Sequence, residues 1–125
     1  MPEYVVRRLG AGLNERSRSL RGTRVLALGL AYKSQSSDTR GSPAARVCEL
    51  LVESGADVHV VDPYVDQAKA PRGVTVVSDS SAEIAAAKAI VVLTDHDSVD
   101  YEAIASADAF VLDTRNRLHR PGTAL

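Results

Sequence analysis

The chain has 125 residues, with 15 Lys and Arg against 16 Asp and Glu for a net charge of −1, 45% hydrophobic residues, no Trp and one Cys. A chain of this size buries enough surface for one core and no second full domain, and a lone cysteine excludes an intrachain disulfide or a cysteine-built zinc cluster. No apolar run reaches the ~18 residues of a membrane span, and the opening MPEYVVRRLG lacks the shape of a signal peptide, so the expectation is a soluble protein of a reducing compartment, the cytoplasm.

The first element is an amphipathic helix over Pro2 to Leu20, with Tyr4, Val5, Arg8, Leu9, Gly12 and Leu13 at helical spacing. Its short apolar stripe stands outside the repeating pattern that follows, which implies packing on a partner chain or neighbouring domain. Charge is concentrated here. Met1 to Arg24 carries six arginines against Glu3 and Glu15, a net +4, and the rest carries nine basic and fourteen acidic residues, a net −5. With no stacking aromatic beyond Tyr4, this basic head does not read as a nucleic-acid surface.

From Arg24 the pattern becomes strand, loop, helix, repeated. Val25 to Leu30 is a near-continuous apolar run, as in a strand covered on both faces. Ser42 as N-cap and Pro43 at the first helical position open a helix that buries Ala44, Val47, Cys48 and Leu51 and stops at Gly55. Strands at Val58–Val61, Val74–Val77, Ala89–Leu93 and Ala109–Leu112 follow, with helices near Ser81–Ala87 and Tyr101–Ala107. Strands joined this way form a mainly parallel sheet with right-handed crossovers. The fold expected is a doubly wound, Rossmann-like three-layer α/β domain over residues 23–125, preceded by a linker or interface helix over residues 1–22.

Ligands of such sheets bind outside the carboxyl ends of the strands. That points to Ala31–Gly41, Asp62–Tyr64, Ser78–Ser80, Thr94–His96 and Asp113–Asn116. No GxGxxG follows the first strand, where Gly29-Leu30-Ala31-Tyr32-Lys33 stands instead, and no Walker loop is present. Asp62 ends the second strand where a ribose-binding acid would lie, and without the glycines it reads as a turn starter. The loop AYKSQSSDTRG carries Lys33 and Arg40 into the next helix. It is either a phosphate or diphosphate site or a solvated loop in which Asp38 pairs with one of the cations. Arg115, past the last strand, joins the same edge, unless it pairs with Asp113 or Asp95; cations converging there call for an anion. Cys48 reads as a core residue, and His59, His96 and His119 have no metal-ligand spacing. No metal site and no catalytic group emerge from the residues.

The segment from RVLALGLAYK through DTRGSPA to DPYV, followed by VVLTDHDSVDYEAI and VLDTRN, resembles the carboxyl-terminal UDP-binding domain of the UDP-glucose/GDP-mannose dehydrogenase family. In look it is nearest the bacterial UDP-N-acetylhexosamine 6-dehydrogenases. The resemblance implies part of an NAD-dependent oxidation of a UDP-sugar from alcohol to carboxylate at C6, through a thiohemiacetal on a cysteine. It implies that Tyr32, Lys33 and Arg115 bind the UDP-sugar substrate and that Arg40 reaches the NAD. It also implies an amino-terminal NAD-binding domain as partner, and a homodimer formed through the 1–20 helix. The chain itself has no NAD fingerprint, and Cys48 does not match the family's catalytic cysteine, so catalysis by this chain alone is not expected. It is an excised domain of such an enzyme, or a freestanding UDP-binding, regulatory or dimerisation module. A receiver-like signalling domain would need an aspartate after Val77 and a lysine after Leu112, where Ser78 and Asp113 stand.

Overall fold

The computed structural model describes residues 2–30, 43–62, 65–78, 80–93 and 101–114. Helix α1 (Pro2–Glu15) precedes strand β1 (Arg24–Leu28), and α2 (Pro43–Glu53) leads to β2 (Asp57–Val61). After a 3-10 turn at Gln67–Lys69 come β3 (Val74–Val77), α3 (Ser80–Ala86), β4 (Ala89–Val92), α4 (Tyr101–Ala105) and β5 (Phe110–Asp113). All four strand pairings are parallel, in the order β3-β2-β1-β4-β5. This is the doubly wound, Rossmann-like sheet that the alternation of elements predicts, and its strand order reverses between β1 and β4.

Strand alternation divides the core into two layers. Val25, Ala27, Val58, Val60, Val91 and Leu112 face α1 and α2, whereas Leu26, Leu28, Val61, Ile90, Val92 and Val111 face Ile84 and Ile104 of α3 and α4. Residues Val25 to Leu28 of β1 are fully buried, which explains their uninterrupted apolar character. The outer edge of β3 is closed by a side chain: Gln67 donates to the Val74 carbonyl at 2.8 Å and accepts from the Val76 N–H at 2.8 Å, taking the place of a neighbouring strand.

Both long helices end in the same way. At α2, the Gly55 N–H reaches the Val52 carbonyl and the Ala56 N–H the Leu51 carbonyl, with Gly55 at φ 89°. This is a Schellman cap, in which glycine takes the left-handed backbone at no steric cost. At α1, Ser17 holds that position at φ 61°, and the Ser17 and Arg18 N–H groups return to the Asn14 and Leu13 carbonyls. Helix α1 therefore stops at Glu15, short of the Leu20 that the apolar spacing predicts, because the left-handed turn redirects the chain into β1.

The apolar stripe of α1 packs within this chain, against α2 and the sheet. Val5, Leu9 and Leu13 are 2%, 0% and 0% exposed and belong to the same core layer as α2 and the sheet. Complete burial of such side chains contributes about 1.5–3 kcal/mol each. Gly12 makes the close approach possible, since a Cβ there would overlap the Phe110 ring. Leu9→Ala is expected to lower the unfolding free energy by about 2–5 kcal/mol in urea denaturation, where a detached linker helix would show almost no change. Gly12→Ala, which gains helix propensity, is still expected to cost about 1–3 kcal/mol through the displaced Phe110 ring, read in the same assay.

Candidate functional site

The carboxyl edge of the sheet is built from backbone and two buried carboxylates. Beyond β1 the Gly29 N–H bonds to the Val61 carbonyl at 2.9 Å, and beyond β4 the Leu93 N–H bonds to the Leu28 carbonyl at 3.0 Å. Asp62, 3% exposed, accepts the Leu30 N–H on Oδ2 at 2.9 Å. It thus ties the end of β2 to the first residues leaving β1. A buried N–H without an acceptor costs about 1–3 kcal/mol, so this aspartate is a clamp on the loop's departure point. The turn-starter reading of Asp62 agrees with the Val65 N–H on its carbonyl at 3.2 Å; the side-chain clamp to Leu30 is invisible in the sequence.

Asp113, 1% exposed, ends β5 on the same edge. Thr114 follows it, its N–H on the Val92 carbonyl at 3.2 Å and its hydroxyl donating to the same oxygen. The registers Leu28↔Val92 and Val92↔Asp113 put the exits of β1 and β5 level, with β4 between them. At about 4.8 Å per strand, the two exits are roughly 10 Å apart. Chain leaving β1 at Leu30 and β5 at Thr114 thus starts from one edge, at a spacing that two long side chains bridge. Tyr32, Lys33, Arg40 and Arg115 themselves lie outside the described residues, as do Ser42, Asp38, Thr94, Asp95, His96 and His119.

The remaining chemistry-bearing residues of the described part have structural surroundings. Cys48 is fully buried in α2 against the sheet, and this burial, with Glu49 next to it, pushes its thiol pKa up to about 12. The thiolate that acts as a nucleophile is therefore suppressed. His59 stands between carboxylates, with Nε2 3.1 Å from Asp57 Oδ1 and Nδ1 2.9 Å from Glu83 Oε1. The Glu83 approach lies off the hydrogen-bonding direction and brings α3 against β2. Among the described residues, no group of three or more His, Cys, Asp or Glu side chains has the placement to hold a metal ion, and no helix is long and apolar enough to cross a membrane.

The comparisons with known proteins agree with this architecture. Residues 26–120 match the model of the UDP-glucose/GDP-mannose dehydrogenase family, UDP binding domain. The chain belongs to that family. A UDP-N-acetyl-D-mannosamine dehydrogenase of Methanococcus maripaludis is 32% identical over 94% of this chain and 28% of its own length. Its counterpart from Pyrococcus horikoshii is 37% identical over 78% of this chain and 22% of its own length. Among solved structures, a UDP-glucose dehydrogenase from Pyrobaculum islandicum superposes with a TM-score of 0.69 at 34% identity, covering 89% of this chain and 26% of that one. The chain therefore spans about a quarter of the length of these dehydrogenases and corresponds to their UDP-binding domain.

The buried thiol has a direct test. At pH 8 the folded chain is expected to resist alkylation by iodoacetamide and to react stoichiometrically once unfolded in urea, read by mass spectrometry. Rapid labelling of the folded chain at Cys48 would contradict its place in the core.

Proposed function

We propose that this chain supplies the UDP-sugar-binding part of an NAD-dependent UDP-sugar 6-dehydrogenase, which oxidises the C6 alcohol of a nucleotide sugar to a carboxylate in the cytoplasm. The observation that carries the proposal is the family match over residues 26–120, on a sheet whose β1 and β5 exits leave one carboxyl edge level with each other across β4. In this reading Tyr32 and Lys33 follow β1 and contact the UDP-sugar, and Arg115 follows β5 and holds the same substrate. Two cations on one diphosphate give charge-assisted hydrogen bonds, the arginine bidentate and the lysine as a point charge. The clamp from Asp62 to Leu30 fixes where the first of these segments begins.

NAD does not fit the β1 exit as it fits a dinucleotide fold. The second glycine is replaced by Ala31, and the Leu30 N–H that a pyrophosphate would approach is already taken by Asp62. The NAD of the proposed reaction accordingly belongs to an amino-terminal domain, with Arg40 reaching it from this chain. That domain also supplies the cysteine nucleophile, since Cys48 is in the core. Residues 1–22 form the connection to it, and the outer face of α1, where Arg7 lies 5.9 Å from the Tyr4 ring and Tyr4 is 42% exposed, is the surface proposed for homodimer contact.

A calorimetric titration of the chain with UDP, with NAD as control, tests the assignment. UDP is expected to bind and NAD not. Lys33→Ala and Arg115→Ala should each weaken UDP binding about tenfold or more, the loss of a charged hydrogen bond of about 1.5–3 kcal/mol. No UDP binding at millimolar ligand, or binding indifferent to both substitutions, would overturn it.

A further inference from the structure

The opposite, amino edge of the sheet carries a feature that nucleotide binding at the carboxyl edge leaves unused. A groove of about 590 Å³ opens between α3, the turn after α4 and the segment joining α1 to β1. This is within the range of small-molecule sites. Ile84 and Ala107 contribute apolar surface, and Arg16, Arg18, Lys88 and Asp108 line it with charge. Three cations against one carboxylate leave a local charge of +2. Among the described residues neither Arg18 nor Lys88 has an ion-pair partner.

These cations stand on fixed backbone. Arg18 is held by the left-handed cap at Ser17, through its N–H on the Leu13 carbonyl at 2.9 Å. Lys88 is held from both sides, its N–H on the Arg24 carbonyl at 3.0 Å and its carbonyl accepting from Phe110 at 3.1 Å. Arg16 Nη1 donates to the Asp108 carbonyl at 2.9 Å, and its guanidinium lies 5.9 Å from the Phe110 ring centre, so it forms a wall that is already positioned. Holding like charges around one cavity is unfavourable unless an anion joins them. Ile84, largely buried in the core, and Ala107 leave a small apolar patch beside the cations, which an anion with a compact hydrophobic body covers and inorganic phosphate does not.

We propose that this groove, where Arg16, Arg18 and Lys88 surround the Ile84 and Ala107 surface, is a second binding site, for a small phosphate monoester with an apolar body. The dianionic head, fully charged above its second pKa of about 6, sits between Arg18 and Lys88 and matches the local charge of +2. The body covers Ile84 and Ala107. The site lies across the sheet from the substrate edge and does not depend on the identity of the nucleotide bound there.

The test is an amide NMR titration of the ¹⁵N-labelled chain with phenyl phosphate at pH 7.5 and low salt, with inorganic phosphate and benzyl alcohol as the two separate halves of the probe. Saturating shifts at Ala85, Lys88 and Ala107 are expected, tighter for phenyl phosphate than for either half. Binding should weaken about tenfold or more in Arg18→Glu/Lys88→Glu, with shifts of the core amides unchanged. Should charge reversal disturb the fold, Arg18→Gln/Lys88→Gln reads the same loss. Absence of localised shifts at millimolar probe, equal affinity for inorganic phosphate, or binding unaffected by the double substitution would each overturn the proposal.

Discussion

An all-parallel sheet presents two apolar faces, and both must be covered for the chain to fold. Here that requirement falls on β1, the middle strand, and its neighbour β4, whose residues Val25–Leu28 and Ala89–Val92 have no exposed surface. Alternation sends Val25 and Ala27 to the α1 and α2 layer and Leu26 and Leu28 to the α3 and α4 layer. Neither layer closes without helices from two separate parts of the sequence. The helical crossovers that meet this need return every strand in the same direction, which gathers all five carboxyl ends at one edge.

That gathering gives the two edges of the molecule different chemistry. At the carboxyl edge the strand exits are held by short backbone links and by Asp62 on Leu30. The segments that follow β1 and β5 in the sequence carry Lys33 and Arg115, the cations proposed for substrate. A rigid scaffold with its chemistry in the loops is the usual economy of doubly wound folds. At the amino edge Arg16 and Arg18 before β1, Lys88 before β4 and Asp108 before β5 gather because these three strands are adjacent in the strand order. The basic head of the sequence therefore serves two purposes: its apolar residues complete a core layer, and two of its arginines line the groove.

Helix α1 completes one layer of the core. By sequence the helix precedes the repeating pattern, yet Val5, Leu9 and Leu13 sit in the same core cluster as Cys48 and Leu51 of α2. Gly12 lets it approach Phe110 closely, and Arg16 then covers the outer side of that ring. The helix is thus an integral part of the core on one face, with Tyr4 and Arg7 left on the other.

The sequence by itself determined the strand and helix alternation and the parallel sheet. Periodicity, the Gly55 stop and continuous apolar runs such as AIVV are local signals with local causes. It also carried the family through GLAYK, DTRGSPA, DPYV and DTRN, and it marked Cys48 as core by its place on a helical stripe. Only the tertiary structure decided where α1 packs, because an apolar stripe does not name its partner. It alone decided that Asp62 spends its carboxylate on the Leu30 N–H, that Gln67 closes the β3 edge, and that Arg18 and Lys88, seventy residues apart, share a groove. These depend on strand order, and strand order is set by which helices fit which face, a property of the folded core with no counterpart in any short stretch of sequence.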